Sequence, residues 1–541
     1  MARVEVAGQL VDVINGKIVP SKVVMEGGKF IEITHMAEAP QHFLLPGLID
    51  AHIHIESSYL CPSRFAEAAV PHGTTATVSD PHEIANVIGM TGIAYMLLDA
   101  ESVPLRFNFT APSCVPATKY ETSGAVIGVK EIESMLEDRR FVALGEVMDF
   151  QGVLEGDPGI IEKIKATKKY WKKVDGHCPG LIGRPLVKYI NAGISTDHEC
   201  TTSDEAEEKY FLGMWIQVRE GSASRDMAKL MSFAKANECM LVSDDLRAKD
   251  LVNGHIDVLL RKAVSMGMSP MHAIKAVTSW PAWHYSLPGG SIGVGRTADL
   301  VIVDDLKDFK VREVYINGEL VAKDGRPLFS AEPKRTVLAI APQDRSANEL
   351  TLSAGGDSAA VRVIEVHRDS IESGCVLTEL PVVNGRIQAD IRQDVLLLAL
   401  VDRYAVGPPV LGFIKGFGLK RGALASSVAH DSHHLLSVGA SPVDMAKAIN
   451  AVSHSGGHAV VDGELMEQLP LDVAGLMSSA SVGTVSAQET ILMDMLNGMG
   501  CALPAPFSTL SFQSLLVVPE LKISNFGLFD VRKAEFVSPL L

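Results

Sequence analysis

Several things are scarce in this chain, and each scarcity narrows what it can be. Its 541 residues hold seven cysteines, Cys61, Cys114, Cys178, Cys200, Cys239, Cys375 and Cys501, scattered, odd in number and without a C-x-x-C. That pattern fits reduced thiols in a cytoplasm, not a disulfide framework. Long apolar runs are missing too. Val395–Val401 falls far short of the ~20 residues a membrane-spanning helix needs, so no membrane association is expected. The start, Met1-Ala2-Arg3-Val4-Glu5-Val6, lacks a charged segment leading into an apolar core, so no signal peptide is expected and the location is read as cytoplasmic. Positive charge is in deficit: 49 Lys and Arg against 65 Asp and Glu give a net charge of −16. A surface that acidic disfavours nucleic acid and suits a soluble protein with a neutral or cationic small ligand. Neither a phosphate-cradling G-x-x-x-x-G-K-[ST] nor a metalloprotease H-E-x-x-H occurs. His82-Glu83 leads to Asn86 and His198-Glu199 to Thr202, where the second histidine would stand.

What is present is an ordinary globular composition, 47% hydrophobic and 21% charged, in a chain too long for one core. Residues 1–45 and 286–330 carry short β-like runs with turn signals, such as Asn15-Gly16, and are predicted to form one discontinuous small β domain. Between them, residues 46–285 alternate strands with helical stretches. The strand candidates are Leu48–His54, Thr74–Asp80, Arg106–Ser113, Phe141–Val147, Lys173–His177, Gly193–His198, Gly213–Glu220 and Met240–Asp244. Eight such units predict a (β/α)8 TIM-like barrel. Residues 337–541 mix β-like runs (Ala360–Val366, Val376–Asn384) with helical ones (Pro442–Ser453, Ala487–Met499) and predict a separate C-terminal α+β domain. The fold class is thus α/β, with the small β domain flanking the barrel and the α+β domain appended. Homo-oligomerisation is a base-rate expectation only.

In a barrel of this type reactive side chains sit at the C-terminal ends of the strands. Here those ends read His52-Ile53-His54, Ser79-Asp80-Pro81-His82-Glu83, Gly145-Glu146, Asp175-Gly176-His177-Cys178, Asp197-His198-Glu199 and Ser243-Asp244-Asp245. Residues two apart on a strand share a side, so His52 and His54 can grip one ion. Imidazoles and carboxylates together bind Zn²⁺, Fe²⁺ or Mn²⁺. Four histidines, Glu146 and one aspartate would hold two ions, with Glu146 bridging them, and so make hydroxide available near neutral pH. Alternation lets only one of Asp244 and Asp245 face inward.

These motifs resemble those of the amidohydrolase superfamily, and within it the bacterial adenine deaminases. The similar pieces are Asp50-Ala51-His52-Ile53-His54-Ile55-Glu56-Ser57-Ser58, Asp80-Pro81-His82-Glu83-Ile84, Gly145-Glu146-Val147-Met148-Asp149, Asp175-Gly176-His177-Cys178-Pro179-Gly180, Arg219-Glu220-Gly221-Ser222-Ala223 and Ser243-Asp244-Asp245. Two C-terminal pieces join them, Gly416-Phe417-Gly418-Leu419-Lys420-Arg421-Gly422 and Ser427-Val428-Ala429-His430-Asp431-Ser432-His433. The resemblance implies hydrolysis of adenine to hypoxanthine and ammonia with two divalent ions, manganese or iron ahead of zinc. It implies His52 and His54 on one ion, His177 and His198 on the other, Glu146 between them, and Asp245 as both ligand and proton carrier. Asp80 and Glu83 are candidates for work near the purine or in support of the ligands. Plainer roles stay beside these. Asp80 and Glu83 can simply start a helix, Glu199 can be structural because it follows His198, and Cys178 can be a packed thiol. His430-Asp431-Ser432-His433-His434 is cation-friendly in type but matches no known metal spacing. The same barrel also serves hydrolases of cyclic amides or acyl-amides, since a fold does not fix its substrate. The P-C-x-x-C of cytidine-type deaminases is absent, so His54-Ile55-Glu56 completes no motif of that kind.

Overall fold

In a computed structural model of the protein, residues 3–222, 224–335, 337–341, 343–368, 370 and 372–541 are described. The chain divides into two compact units. One comprises Met1–His82, Ala94–Cys114 and Ile127–Lys334, the other Glu83–Ile93, Val115–Val126 and Arg335–Leu541.

The first unit is built on eight parallel strands: β1 (Leu48–Ile53), β2 (Thr74–Ser79), β3 (Arg106–Ala111), β4 (Phe141–Val147), β5 (Lys173–Gly176), β6 (Thr196–Asp197), β7 (Trp215–Arg219) and β8 (Met240–Val242). β1 to β5 pair in order, as do β6 to β8. Past β8, Asp244 makes a parallel bridge with Ile53, and its amide donates to the His52 carbonyl at 3.0 Å. The sheet therefore curls back on itself, as in a barrel. Strands covered on both faces read as continuous apolar runs, and β1, β2 and β8 are buried throughout. Small residues (Ala51, Ala76, Ala143) pack inside with Ile49, Val78 and Val242. The helices between begin with local signals. Pro62 occupies a first turn, and the Asp157 and Thr202 side chains accept from the amides of Gly159 and Glu205.

All eight strand candidates contain strands, but the sixth is cut to two residues. The Asp197 carboxylate explains this. It accepts from the Cys178 amide (2.9 Å), the Glu199 amide (3.2 Å) and Lys209 Nζ (2.9 Å). These bonds draw the chain off the ladder, so His198 and Glu199 follow no strand alternation.

An eight-stranded sheet completes this unit, taking its strands from Val4–His35, Phe43–Pro46 and Leu300–Pro327. The chain passes from it into β1 through Gly47, where a Cβ would stand 2.1 Å from Thr75 Oγ1, so no larger residue fits that crossing.

The second unit holds a nine-stranded sheet in which Val395–Val401, the longest apolar run, is an interior strand with all seven residues buried. Helix Pro442–Ser455, whose Ser441 cap accepts from the Asp444 amide, contributes Met445, Ile449 and Val452 to its core. A second long helix covers Val482–Gly498, starting five residues before the periodicity predicts because Ser481 caps it. Among the described residues no helix is long and apolar enough to cross a membrane.

Candidate metal centre

β1 ends by turning His52 and His54 to one side. His54 Nδ1 lies 3.1 Å from the Asp80 carbonyl oxygen. A carbonyl can only accept, so Nδ1 carries a proton, and in the neutral ring Nε2 is the nitrogen left to ligate. That Nε2 faces Asp244 Oδ1 at 3.3 Å and Glu146 Oε1 at 3.4 Å. His52 Nε2 is buried, has no hydrogen bond among the described residues, and lies 3.6 Å from Asp244 Oδ1. Glu146, near the end of β4, turns its other oxygen the opposite way. Oε2 lies 2.8 Å from His177 Nδ1 and 3.0 Å from His198 Nε2. The rings of His52 and His198 stack with centroids 4.1 Å apart. His82 joins from the side, with Nδ1 3.6 Å from Glu146 Oε1.

These residues fit a pair of divalent ions. Ligand bonds of ~2.0–2.2 Å place neighbouring donor atoms ~3.0–3.6 Å apart; the separations here run from 2.8 to 3.6 Å. The carboxylates are held in the anionic form that a ligand needs. Burial pushes the Glu146 carboxyl up, but His198 and His177 outweigh it and hold Glu146 well below the usual carboxylate range. Asp244 behaves likewise: burial raises it, and His52, His54, His198 and Arg219 overcome that. Burial, reinforced by His198, pushes His52 down toward the neutral, ligating form; burial lowers His54, His177 and His198 too, but the carboxylates beside them outweigh it and hold these three up.

The structure brings Asp244, not the expected Asp245, to the imidazoles. Asp244 has φ 55°, a left-handed turn that swings its carboxylate inward, whereas Asp245 Oδ1 accepts from Ser57 Oγ at 2.5 Å. Asp80 lies beneath Glu146: its Oδ2 accepts from the Glu146 amide at 3.0 Å. A Cβ on Gly145 would stand 2.3 Å from that same oxygen. Gly145→Ala is therefore expected to displace Asp80 or Glu146 and lower kcat by ~10²-fold, the scale a 1 Å misplacement costs, with a loss of ~1–3 kcal/mol of stability from the overpacked, displaced carboxylate. Steady-state kinetics beside a melting curve checks this.

Glu199, given a structural reading from sequence, lies in the cluster with Oε1 3.4 Å from His198 Nε2 and 3.6 Å from His177 Nδ1. Arg219, at the end of β7, meets both of its oxygens. Of the motif beginning at Arg219, Ser222 Oγ donates to Asp250 at 2.5 Å, and Ala223 lies outside the described residues. Cys178 is buried, and burial, with Asp197 beside it, pushes its thiol up, as for an inert packed side chain.

Glu83 belongs to the second unit, where its carboxylate meets His430 Nδ1 at 2.5 Å and His433 Nε2. His433 Nδ1 accepts from the Ala429 amide at 3.1 Å. The ring proton is therefore on Nε2 and is donated to Glu83, an arrangement of hydrogen bonds and not of metal ligands. Burial brings His433 down to about 4, consistent with that neutral ring.

Comparison with known proteins agrees with this architecture. The amidohydrolase family profile matches residues 43–321, so the chain is a member of the amidohydrolase family, as the curled parallel sheet with histidines and carboxylates at its strand ends leads one to expect. A second profile, the adenine deaminase C-terminal domain, matches residues 371–535. The adenine deaminase of Methanosphaera stadtmanae is 44% identical over 98% of both chains, and that of Methanothermobacter thermautotrophicus 45% identical over 98% of both. The adenine deaminase of Salinibacter ruber is 43% identical over 99% of both. The chain belongs to the adenine deaminase family.

Proposed function

We propose that this protein hydrolyses adenine to hypoxanthine and ammonia at a dinuclear centre on a (β/α)8 barrel. The observation that carries the reading is Glu146, whose two oxygens face two separate groups of imidazoles. His52, His54 and Asp244 would hold one ion, His177 and His198 the other, with Glu146 shared. Two bound divalent ions would lower the pKa of water and supply hydroxide near neutral pH. The rest is work for side chains. Asp244 Oδ1, between His52 and His54, is placed to take the proton of the attacking water and pass it to the departing amino group. Addition of hydroxide at C6 and loss of ammonia balance as adenine plus water giving hypoxanthine plus ammonia. Asp80 fixes Glu146 through its amide, His54 through its carbonyl. Glu83 is held by two histidines of its own unit. The division into a small β domain (1–45 and 286–330), a barrel (46–285) and a C-terminal domain (337–541), and a cytoplasmic, homo-oligomeric state, belong to the same proposal.

The test is ammonia release from adenine by protein reconstituted separately with Mn²⁺, Fe²⁺ and Zn²⁺, beside a chelated control. Metal-dependent turnover is expected, with loss on chelation. Folded, metal-loaded protein that releases no ammonia from adenine, yet turns over a cyclic amide or acyl-amide, would overturn the substrate and leave the barrel chemistry in place.

A further inference from the structure

We infer that Glu199 is an additional ligand on the His177–His198 side of the centre, and that Arg219 positions Glu199 and Asp244 together. This rests on the dinuclear reading above. Four donor atoms face one another on that side: Glu146 Oε2, His177 Nδ1, His198 Nε2 and Glu199 Oε1. Glu146 Oε2 lies 2.8 and 3.0 Å from the two imidazole nitrogens, and Glu199 Oε1 lies 3.6 and 3.4 Å from the same pair. Bonds of ~2.1 Å separate neighbouring ligand atoms by ~3.0–3.4 Å, so Glu199 fits as a fourth protein donor, and an ion that takes five or six ligands would keep a position for water. A carboxylate oxygen has two lone pairs, so Oε1 can serve a cation and Arg219 at once.

Arg219 makes this a fixed arrangement. Its Nη2 meets Glu199 Oε2 at 2.8 Å and its Nε meets Asp226 Oδ2 at 2.9 Å. Its Nη1 meets Glu199 Oε1 and lies 3.3 Å from Asp244 Oδ2. Asp226 has a second cation, Lys229, at 2.9 Å. Among the described residues, the other positive partners of Glu199 and Asp244 are the imidazoles. One guanidinium thus tethers a carboxylate on each side of Glu146, leaving Asp244 Oδ1 and Glu199 Oε1 aimed at the histidines. Lysine, a single point donor, cannot reproduce this planar fork.

The experiment is a Mn²⁺ titration of the full-length metal-free protein, reading ions bound per chain and their dissociation constants. Wild type is expected to bind two. Glu199→Gln is expected to weaken one of them ~10–100-fold, the range for disturbed metal surroundings. Arg219→Lys is expected to weaken binding in the same direction, with kcat restored by excess Mn²⁺, a rescue that a merely structural lesion would not show. Melting curves of the metal-free variants establish that they fold, and Glu199→Asp, which keeps the charge, is expected to fall between wild type and Glu199→Gln. Two ions bound by Glu199→Gln, or by Glu199→Asp should the former not fold, with the wild-type constants would overturn the inference and spare the dinuclear reading. A wild type that takes up no Mn²⁺, Fe²⁺ or Zn²⁺ would overturn both.

Discussion

Asp244→Asn is expected to lower kcat/KM for adenine by ~10³-fold or more, within the range a misplaced or missing proton-transfer group costs, while Asp245→Asn stays within ~10-fold of wild type. The two residues are neighbours of the same type, so the contrast isolates direction. Asp244 Oδ1 lies 3.3 and 3.6 Å from the Nε2 atoms of His54 and His52. Asp245 accepts from Ser57, and its backbone carbonyl accepts from the Ser222 amide at 2.7 Å. Asparagine at 244 keeps the shape but removes the charge that faces two imidazoles and Arg219. Steady-state ammonia release with saturating metal measures both variants. If Asp245→Asn were the inactive one, the strand-eight role would return to Asp245.

Glu146→Gln carries the second large effect. An amide can offer its one oxygen to only one side, whereas Glu146 presents an oxygen to each. Activity is expected to fall on the order of 10⁴-fold, or ~5 kcal/mol in the barrier, and metal content to drop below two ions per chain. Burying four imidazoles without their shared anion also destabilises the metal-free protein, because removing one partner of a buried charge pair costs ~3–5 kcal/mol. Kinetics, metal analysis and a melting curve together check this. Full activity in Glu146→Gln would end the bridging role.

Much of this centre was legible in the sequence because it depends on short-range rules. Period-two alternation puts His52 and His54 on one side whatever surrounds them, and strand ends are visible where an apolar run meets a His or Asp. Helix starts such as Pro442 after Ser441 and Pro158 after Asp157 are equally local. The failures have a common cause. The same alternation, extended past β8 and β6, cannot choose Asp244 over Asp245 and turns Glu199 away from the histidines. Both residues lie just beyond the point where the ladder ends, and there the backbone angle is set by distant partners: the His52 carbonyl for Asp244, and Lys209 and the Cys178 amide for Asp197.

The sequence by itself therefore determined the chemistry: which donor types are available, and that they recur at the ends of alternating strands. Only the tertiary structure decided which carboxylates face the imidazoles. A strand dictates direction through its own covalent geometry, while a residue past its end takes its direction from hydrogen bonds to segments tens or hundreds of residues away. Asp244 bonds across to His52, and Arg219 gathers Glu199, Asp226 and Asp244. No local pattern in the chain encodes those contacts.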